Sequence, residues 1–248
     1  MKRSYWEKTA SHYEDEIFDV LQNDKKGIIR SAIQKYASNK KTAIDIGCAV
    51  GKWLPILSKN FKKVMAIDIS AENIKIAKKN NKKYKNISYQ RLDMSSADNE
   101  LPRCDLAICI NALLTPDVKD RIQFLENTAS CIRKKGVLIL TVPSLESWLL
   151  SHILQQRFAI DKTSFPDTKN KTAAMTQWKN MLQGNVAIDE VQHKHYLKEE
   201  LKIVLAKAGF KVNTIKKIKY DWHTEFINPP KWLKNPQPWD WMAVVMKK

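Results

Sequence analysis

Ala43-Ile44-Asp45-Ile46-Gly47-Cys48-Ala49-Val50-Gly51 reads as a short buried strand, a tight turn of small residues and the start of a helix. Seventeen residues past Gly51, the apolar run Val64-Met65-Ala66-Ile67 closes on a second carboxylate, Asp68. In an open parallel sheet, ligands sit beyond the carboxyl ends of the strands. An acid placed there is positioned to take the hydroxyls of a ribose. The two stretches together predict a site for a nucleoside-containing cofactor.

Glycine spacing narrows the choice of cofactor. A dinucleotide fingerprint wants glycine at its first, third and sixth positions, the last for close helix packing beside the pyrophosphate. Those positions here are Gly47, Ala49 and Lys52, so two of the three fail. A phosphate loop is also absent, because no Gly-Lys-Ser/Thr follows. The small residues fall instead at alternate positions, Gly47, Ala49 and Gly51, which makes a loop flat enough for a ligand to approach the backbone.

Working outward, strands alternate with helices, which argues for a parallel sheet. Helices are expected over about 52–60, 71–81 and 118–133, with Gly136 as the C-cap of the last. Residues 4–36 read as one or two helices whose apolar stripe runs through Ile17, Val20, Leu21, Ile28, Ile29 and Ile33. After Pro143 the pattern breaks, and residues 144–192 read as an insertion of helical, aromatic-bearing segments without a strand. A helix over 197–208, capped by Gly209, leads to a strand around 210–220, and 239–246 forms the last strand. The whole chain, 1–248, is expected to be one domain, with 1–40 an N-terminal helical cap and 144–192 a substrate lid.

The chain carries a formal charge of +17, with 43 Lys and Arg against 26 Asp and Glu. The excess is lysine, spread over 59–85 and 198–219, whereas base and phosphate readout favours arginine forks. Solvated lysine faces explain it more simply than a nucleic-acid surface. Cys48, Cys104, Cys109 and Cys131 lack metal-ligand spacing and read as apolar filler in a reducing compartment. No apolar run approaches the length of a membrane span, and Met1 to Glu7 lacks a signal-peptide core, so a cytoplasmic location is expected.

Further motifs follow in order: Tyr89-Gln90-Arg91-Leu92-Asp93-Met94, then Cys104 to Asn111, then Ile132 to Thr141. With the opening stretch they resemble the class I S-adenosylmethionine-dependent methyltransferases, especially the branch acting on small molecules. The resemblance covers about residues 4–143 and 195–247. It implies a Rossmann-like α/β fold, a seven-stranded, mostly parallel sheet with helices on both faces and the last strand antiparallel. It also implies S-adenosylmethionine as cofactor; no metal is expected, because the cysteines lack metal-ligand spacing. The cofactor contacts it implies are Asp45, Gly47, Cys48, Ala49 and Gly51 on the loop, Asp68 and Ile69 at the ribose, Asp93 and Met94 at the adenine, and Asn111 facing the methionine part. Tyr13 is the aromatic expected to close over the sulfonium, a contact worth about 0.5–2 kcal/mol. Tyr5 and Trp6 are expected to guard the acceptor side or to pack.

Methyl transfer from a sulfonium needs a general base only when the acceptor is a hydroxyl or a protonated amine. The candidates are His12, His152 and His195, then His193, with His223 the weakest. Many relatives carry a histidine soon after the fourth strand, but Asn111-Ala112-Leu113-Leu114-Thr115-Pro116 has none. Acceptor selectivity is expected in the insertion, on Trp148, His152, Phe158, Phe165, Met175, Trp178 and Met181. Asn228-Pro229-Pro230-Lys231 mimics a motif of adenine-amino methyltransferases, but it follows the wrong strand and has Lys for the aromatic. A small-molecule acceptor is the leading reading. An RNA- or protein-directed enzyme and a non-catalytic cofactor-binding module are the alternatives.

Overall fold

The computed structural model describes residues 3–10, 18–97, 99–162, 171–188 and 191–248. Strands β1 (Ser38–Ile46), β2 (Phe61–Asp68), β3 (Ile87–Arg91), β4 (Cys104–Ile110), β5 (Ile132–Pro143), β8 (Phe210–Lys219) and β9 (Trp239–Lys247) form one seven-stranded sheet. Its order is β3-β2-β1-β4-β5-β9-β8. The first five strands are parallel, and β9 runs antiparallel to both β5 and β8. This is the expected Rossmann-like architecture.

Side-chain alternation along each strand puts helices on both faces. Ile44 and Ile46 of β1, with Ala107 and Cys109 of β4, join a core completed by α6 (Val118–Ser130) and α9 (Lys198–Lys207). Ala43, Leu106 and Ile108 point the other way, into a core with Ile29 and Ile33 of α3 (Ile28–Tyr36) and Leu54 and Leu57 of α4 (Leu54–Asn60). Polar side chains start the helices. Ser70 caps α5 (Ala71–Asn80), Asp117 caps α6, and Ser144 caps α7 (Leu145–Phe158).

Three expectations need correction. The N-terminal part holds three helices among the described residues, α1 (Arg3–Thr9), α2 (Val20–Asn23) and α3. Asp24 and Gly27 separate the last two: Gly27 has φ 61°, and the Asp24 carboxylate accepts the Ile28 and Ile29 amides, each at 2.8 Å. Gly136 is not a helix C-cap. Helix α6 ends at Ser130 and Gly136 lies inside β5, where a Cβ would sit 2.7 Å from Ile132 Cγ2 and 2.8 Å from the Arg133 carbonyl. Finally, the insertion holds, besides α7 and α8 (Lys171–Leu182), an antiparallel hairpin of β6 (Asn185–Ile188) and β7 (Val191–Lys194). Strands of four residues are too short to carry a readable period.

Candidate active site

The order of the sheet reverses between β1 and β4, and a crevice opens beyond the carboxyl ends of the strands there. Two clefts occupy it. The first, about 740 Å³ including space open to solvent, is lined by Gly47, Ala49, Asp68, Ile69, Asp93 and Met94, among others. The second, about 1130 Å³, includes Tyr5, Phe18, Trp53, Ile188, His193 and His195. They share Trp6, Gly47, Ala49, Ile110, Asn111 and Leu114, so they meet edge to edge.

The turn after β1 is built for close approach. Gly47, Ala49 and Gly51 have φ of 73°, 47° and 83°, alternate residues in the left-handed region. The Gly47 and Cys48 amides both donate to the Ile67 carbonyl at 2.8 Å, which ties the turn to β2. A Cβ at Gly47 would collide with that of Ala112, across the cleft mouth. Gly51 is constrained from elsewhere: its Cβ would meet Asn81 Nδ2 at 2.6 Å and Leu54 Cδ1 at 2.9 Å. Gly51 therefore packs α4 against α5 and does not line either cleft.

Asp68 is buried at the end of β2 and holds the turn itself. Its Oδ2 accepts the Ala49 amide at 2.8 Å, and its Oδ1 accepts the Ser70 amide at 2.9 Å and Asn73 Nδ2 at 3.2 Å. Burial raises its pKa, and these bonds oppose the rise. A carboxylate offers about four acceptor positions. Three are used inside the chain, which leaves one for a ligand hydroxyl. Asp45 is not a cleft residue. It is 1 % exposed, its Oδ2 makes no hydrogen bond among the described residues, and burial pushes its carboxyl up to about 8. Asp93 is exposed at the rim of the first cleft, beside the apolar floor of Leu92, Met94 and Phe124.

Asn111 follows β4 with φ 49°. Its Nδ2 donates to Asp240 at 2.8 Å and its Oδ1 accepts from Thr141 Oγ1 at 2.9 Å. Asp240 also accepts the Tyr220 hydroxyl at 2.9 Å. The side chain of Asn111 is thus committed away from the clefts, and its turn forms their shared wall. A lone acid in the apolar run 239–246 marks Asp240 in the sequence but does not name its partners Asn111 and Tyr220.

Helix α1 closes the clefts from above. Trp6 lines both, and the next residue, Glu7, fastens the helix. The Glu7 carboxylate accepts the Ala71 amide at 3.0 Å, the Glu72 amide at 3.1 Å and the Ser70 hydroxyl at 2.8 Å, all at the start of α5. These amide bonds hold its pKa down at about 2. In the sequence Glu7 offers only an i,i+4 pairing with Arg3, so its latch was not readable.

Of the histidines, His195 lies in the second cleft. Its Nδ1 faces the His193 carbonyl at 3.3 Å. A carbonyl only accepts, so Nδ1 carries the proton and Nε2 keeps its lone pair. Burial lowers its pKa to about 4. Backbone bonds of its own segment hold it: Lys194 to the Leu114 carbonyl, His195 to Gly184 and Tyr196 to Pro143, at 2.8–2.9 Å. His152 stacks on Trp148 with ring centroids 3.9 Å apart, bonds the Trp148 carbonyl and lines neither cleft. His223 also lines neither. His12, Tyr13 and Phe165 lie outside the described residues. None of Trp148, His152, Phe158, Met175, Trp178 and Met181 lines a cleft. The insertion contributes Ile188 and His193 from its hairpin instead, with His195 just after it.

Residues 10–215 match the model of a methyltransferase-domain family. The chain belongs to that family. With its class I fold it is an S-adenosylmethionine-dependent methyltransferase. Among solved structures, it resembles an S-adenosylmethionine-dependent methyltransferase from Methanosarcina mazei (20 % identity, 87 % of this chain and 96 % of that one, TM-score 0.62). One from Anabaena variabilis is similar at 16 % identity, 99 % and 93 % coverage and TM-score 0.65. DhpI in complex with SAM and HEP is similar at 15 % identity, 99 % and 95 % coverage and TM-score 0.60. No curated protein matches the chain. No helix among the described residues is long and apolar enough to cross a membrane.

Proposed function

We propose that the enzyme methylates a small, largely apolar acceptor held in the second cleft, with S-adenosylmethionine in the first. The observation that carries this reading is the wall of Trp6, Gly47, Ala49 and Asn111 that the two clefts share, so that ligands bound in both would meet at one junction. The first cleft fits the cofactor by its chemistry. The turn at Gly47 has no room for a side chain, Asp68 keeps one acceptor position, and Asp93 stands at the edge of an apolar slot.

When bound, the cofactor supplies a methyl group already activated on a sulfonium. The chain's own contribution is alignment of the two ligands, which supplies about 7–11 kcal/mol in well-oriented systems. Trp6 and the α1 latch exclude water from the junction. His195 Nε2 accepts a hydrogen bond from the acceptor's N–H or O–H and orients its lone pair. An imidazole with a pKa of about 4 is neutral at physiological pH but a weak base. It therefore suits an acceptor that needs orientation more than full deprotonation.

The basic charge does not favour a nucleic-acid acceptor. Among the described residues, Lys52 is the single lysine lining either cleft, and it pairs with Asp19 at 2.6 Å. The test is transfer of labelled methyl to a panel of aromatic amines and phenols, with bulk RNA and protein in parallel. Labelling of a small acceptor that is lost in Trp6→Ala supports the reading. Labelling confined to RNA or protein overturns it.

A further inference from the structure

The carboxyl edge of the sheet carries exposed apolar side chains that neither cleft uses. Beside the end of α7, the Phe158 and Trp232 rings meet edge to face at 4.9 Å, yet Trp232 remains 59 % exposed. Ile227 is 81 % exposed, and the Asp161 carboxylate fixes it there by accepting the Ile227 and Asn228 amides at 2.8 and 2.9 Å. Leu149 and Ile153 are also exposed on α7, on a different face of the helix from Phe158. A satellite core of Ile160, Trp222, Phe226 and Leu233 supports the patch from beneath. The patch is therefore displayed on a packed base.

Its rim is basic. Arg157 lies over the Phe158 ring at 5.9 Å, and Lys231 and Lys234 are exposed beside Trp232. No acid occurs from Phe226 to Trp239. Among the described residues, the neighbouring acids Asp161 and Glu225 are occupied, Asp161 by the two amides and Glu225 by Ser151 and Thr224. A second apolar stripe lies on α8, where Met175, Trp178 and Leu182 are exposed at i, i+3 and i+7 with no acid in the helix. Helix α8 packs on β6, whose Ile188 is both exposed and part of the second cleft.

We propose that this face docks on an anionic lipid bilayer. Tryptophan and phenylalanine beside lysine and arginine match the boundary between headgroups and acyl chains. A chain of net charge +17 is drawn to an anionic leaflet. A second copy of the chain is the poorer occupant, because two such surfaces with basic rims repel. Nucleic acid is poorer still, because its phosphates gain nothing from the exposed Ile227 beside the two rings. Together with the proposed function, on which this last step rests, the stripe from α8 to Ile188 delivers an apolar acceptor from the bilayer to the second cleft.

The test is flotation of the full chain with vesicles of phosphatidylcholine holding about 30 % phosphatidylglycerol, against pure phosphatidylcholine. The wild type floats with the anionic vesicles and is released by salt. Ile227→Ser/Trp232→Ser loses at least about tenfold in partitioning while thermal unfolding and S-adenosylhomocysteine affinity stay unchanged. Wild type left in the dense fraction at low salt overturns the docking. So does a double variant that floats equally, since the lysines alone then account for binding. A dimer in light scattering that the double variant dissolves assigns the patch to self-association instead. Loss of S-adenosylhomocysteine binding in the wild type counts against the proposed function and leaves flotation as a separate result.

Discussion

Asn111 Nδ2 donates to Asp240 Oδ2 at 2.8 Å, joining the residue after β4 to the second residue of β9 across 129 positions of sequence. That bond, with the Asn111 amide donating to Thr141 Oγ1 and that hydroxyl donating back to Asn111 Oδ1, holds a non-glycine residue in the left-handed region at the wall between the two clefts. Asp240→Ala leaves Asn111 Nδ2 and the Tyr220 hydroxyl without their shared acceptor. The expected cost is about 2–4 kcal/mol in denaturant unfolding, roughly the sum for two buried donors. The turnover number should fall more than the donor KM rises, because the lost element is the geometry of the junction. A donor KM that rises with turnover unchanged would contradict this.

Glu7→Gln unfastens α1 from α5. A cap of this kind is worth about 0.5–2 kcal/mol. Hydrogen exchange of residues 3–10 should quicken, and the donor KM should rise. The wild-type pKa is lowered to about 2 from 4.5, so the contribution of Glu7 is full above about 4.5 and is lost as pH falls toward 2. The stability gap between wild type and Glu7→Gln should therefore narrow on acidification through that window.

Asp45 tests the opposite sign. Its pKa is raised from 3.8 to about 8, so its favourable contribution is present below 3.8 and lost as pH rises through 8. Asp45→Asn carries no such proton. Relative to wild type, its unfolding free energy should improve steadily from about pH 4 to pH 8. A difference independent of pH would place the carboxyl in a solvated environment.

For His195, Gln preserves a hydrogen-bond acceptor and Ala does not. His195→Ala should lower kcat/KM by about tenfold or more, with partial recovery in His195→Gln. The wild-type rate should be flat above about pH 5 and fall as pH drops through 4, when the ring protonates. A rate that falls below pH 7 would assign the titration to another group.

The parallel strands, the loop after β1 and the acid at Asp68 were legible because parallel strands buried on both faces write apolar runs that end at ligand positions, whereas the antiparallel last strand was implied only by the family resemblance. Gly51 was visible as a required glycine, but the requirement comes from Asn81 and Leu54 rather than from a ligand. Glu7, Asp240 and the segment 193–196 act through partners far away in sequence, and pattern within a window does not report such pairs. The acceptor wall was expected on the helices of the insertion. The second cleft is lined instead by the hairpin and His195, because backbone bonds from 194–196 to Leu114, Gly184 and Pro143 place that segment over the strand ends.

The most direct measurement is calorimetric titration of S-adenosylhomocysteine into wild type and Asp68→Ala. Asp68 anchors the turn and, in the proposed function, offers its remaining acceptor position to the ligand, so its loss should weaken binding by about 30–100-fold. Equal affinity in the two proteins would contradict the placement of the cofactor in the first cleft.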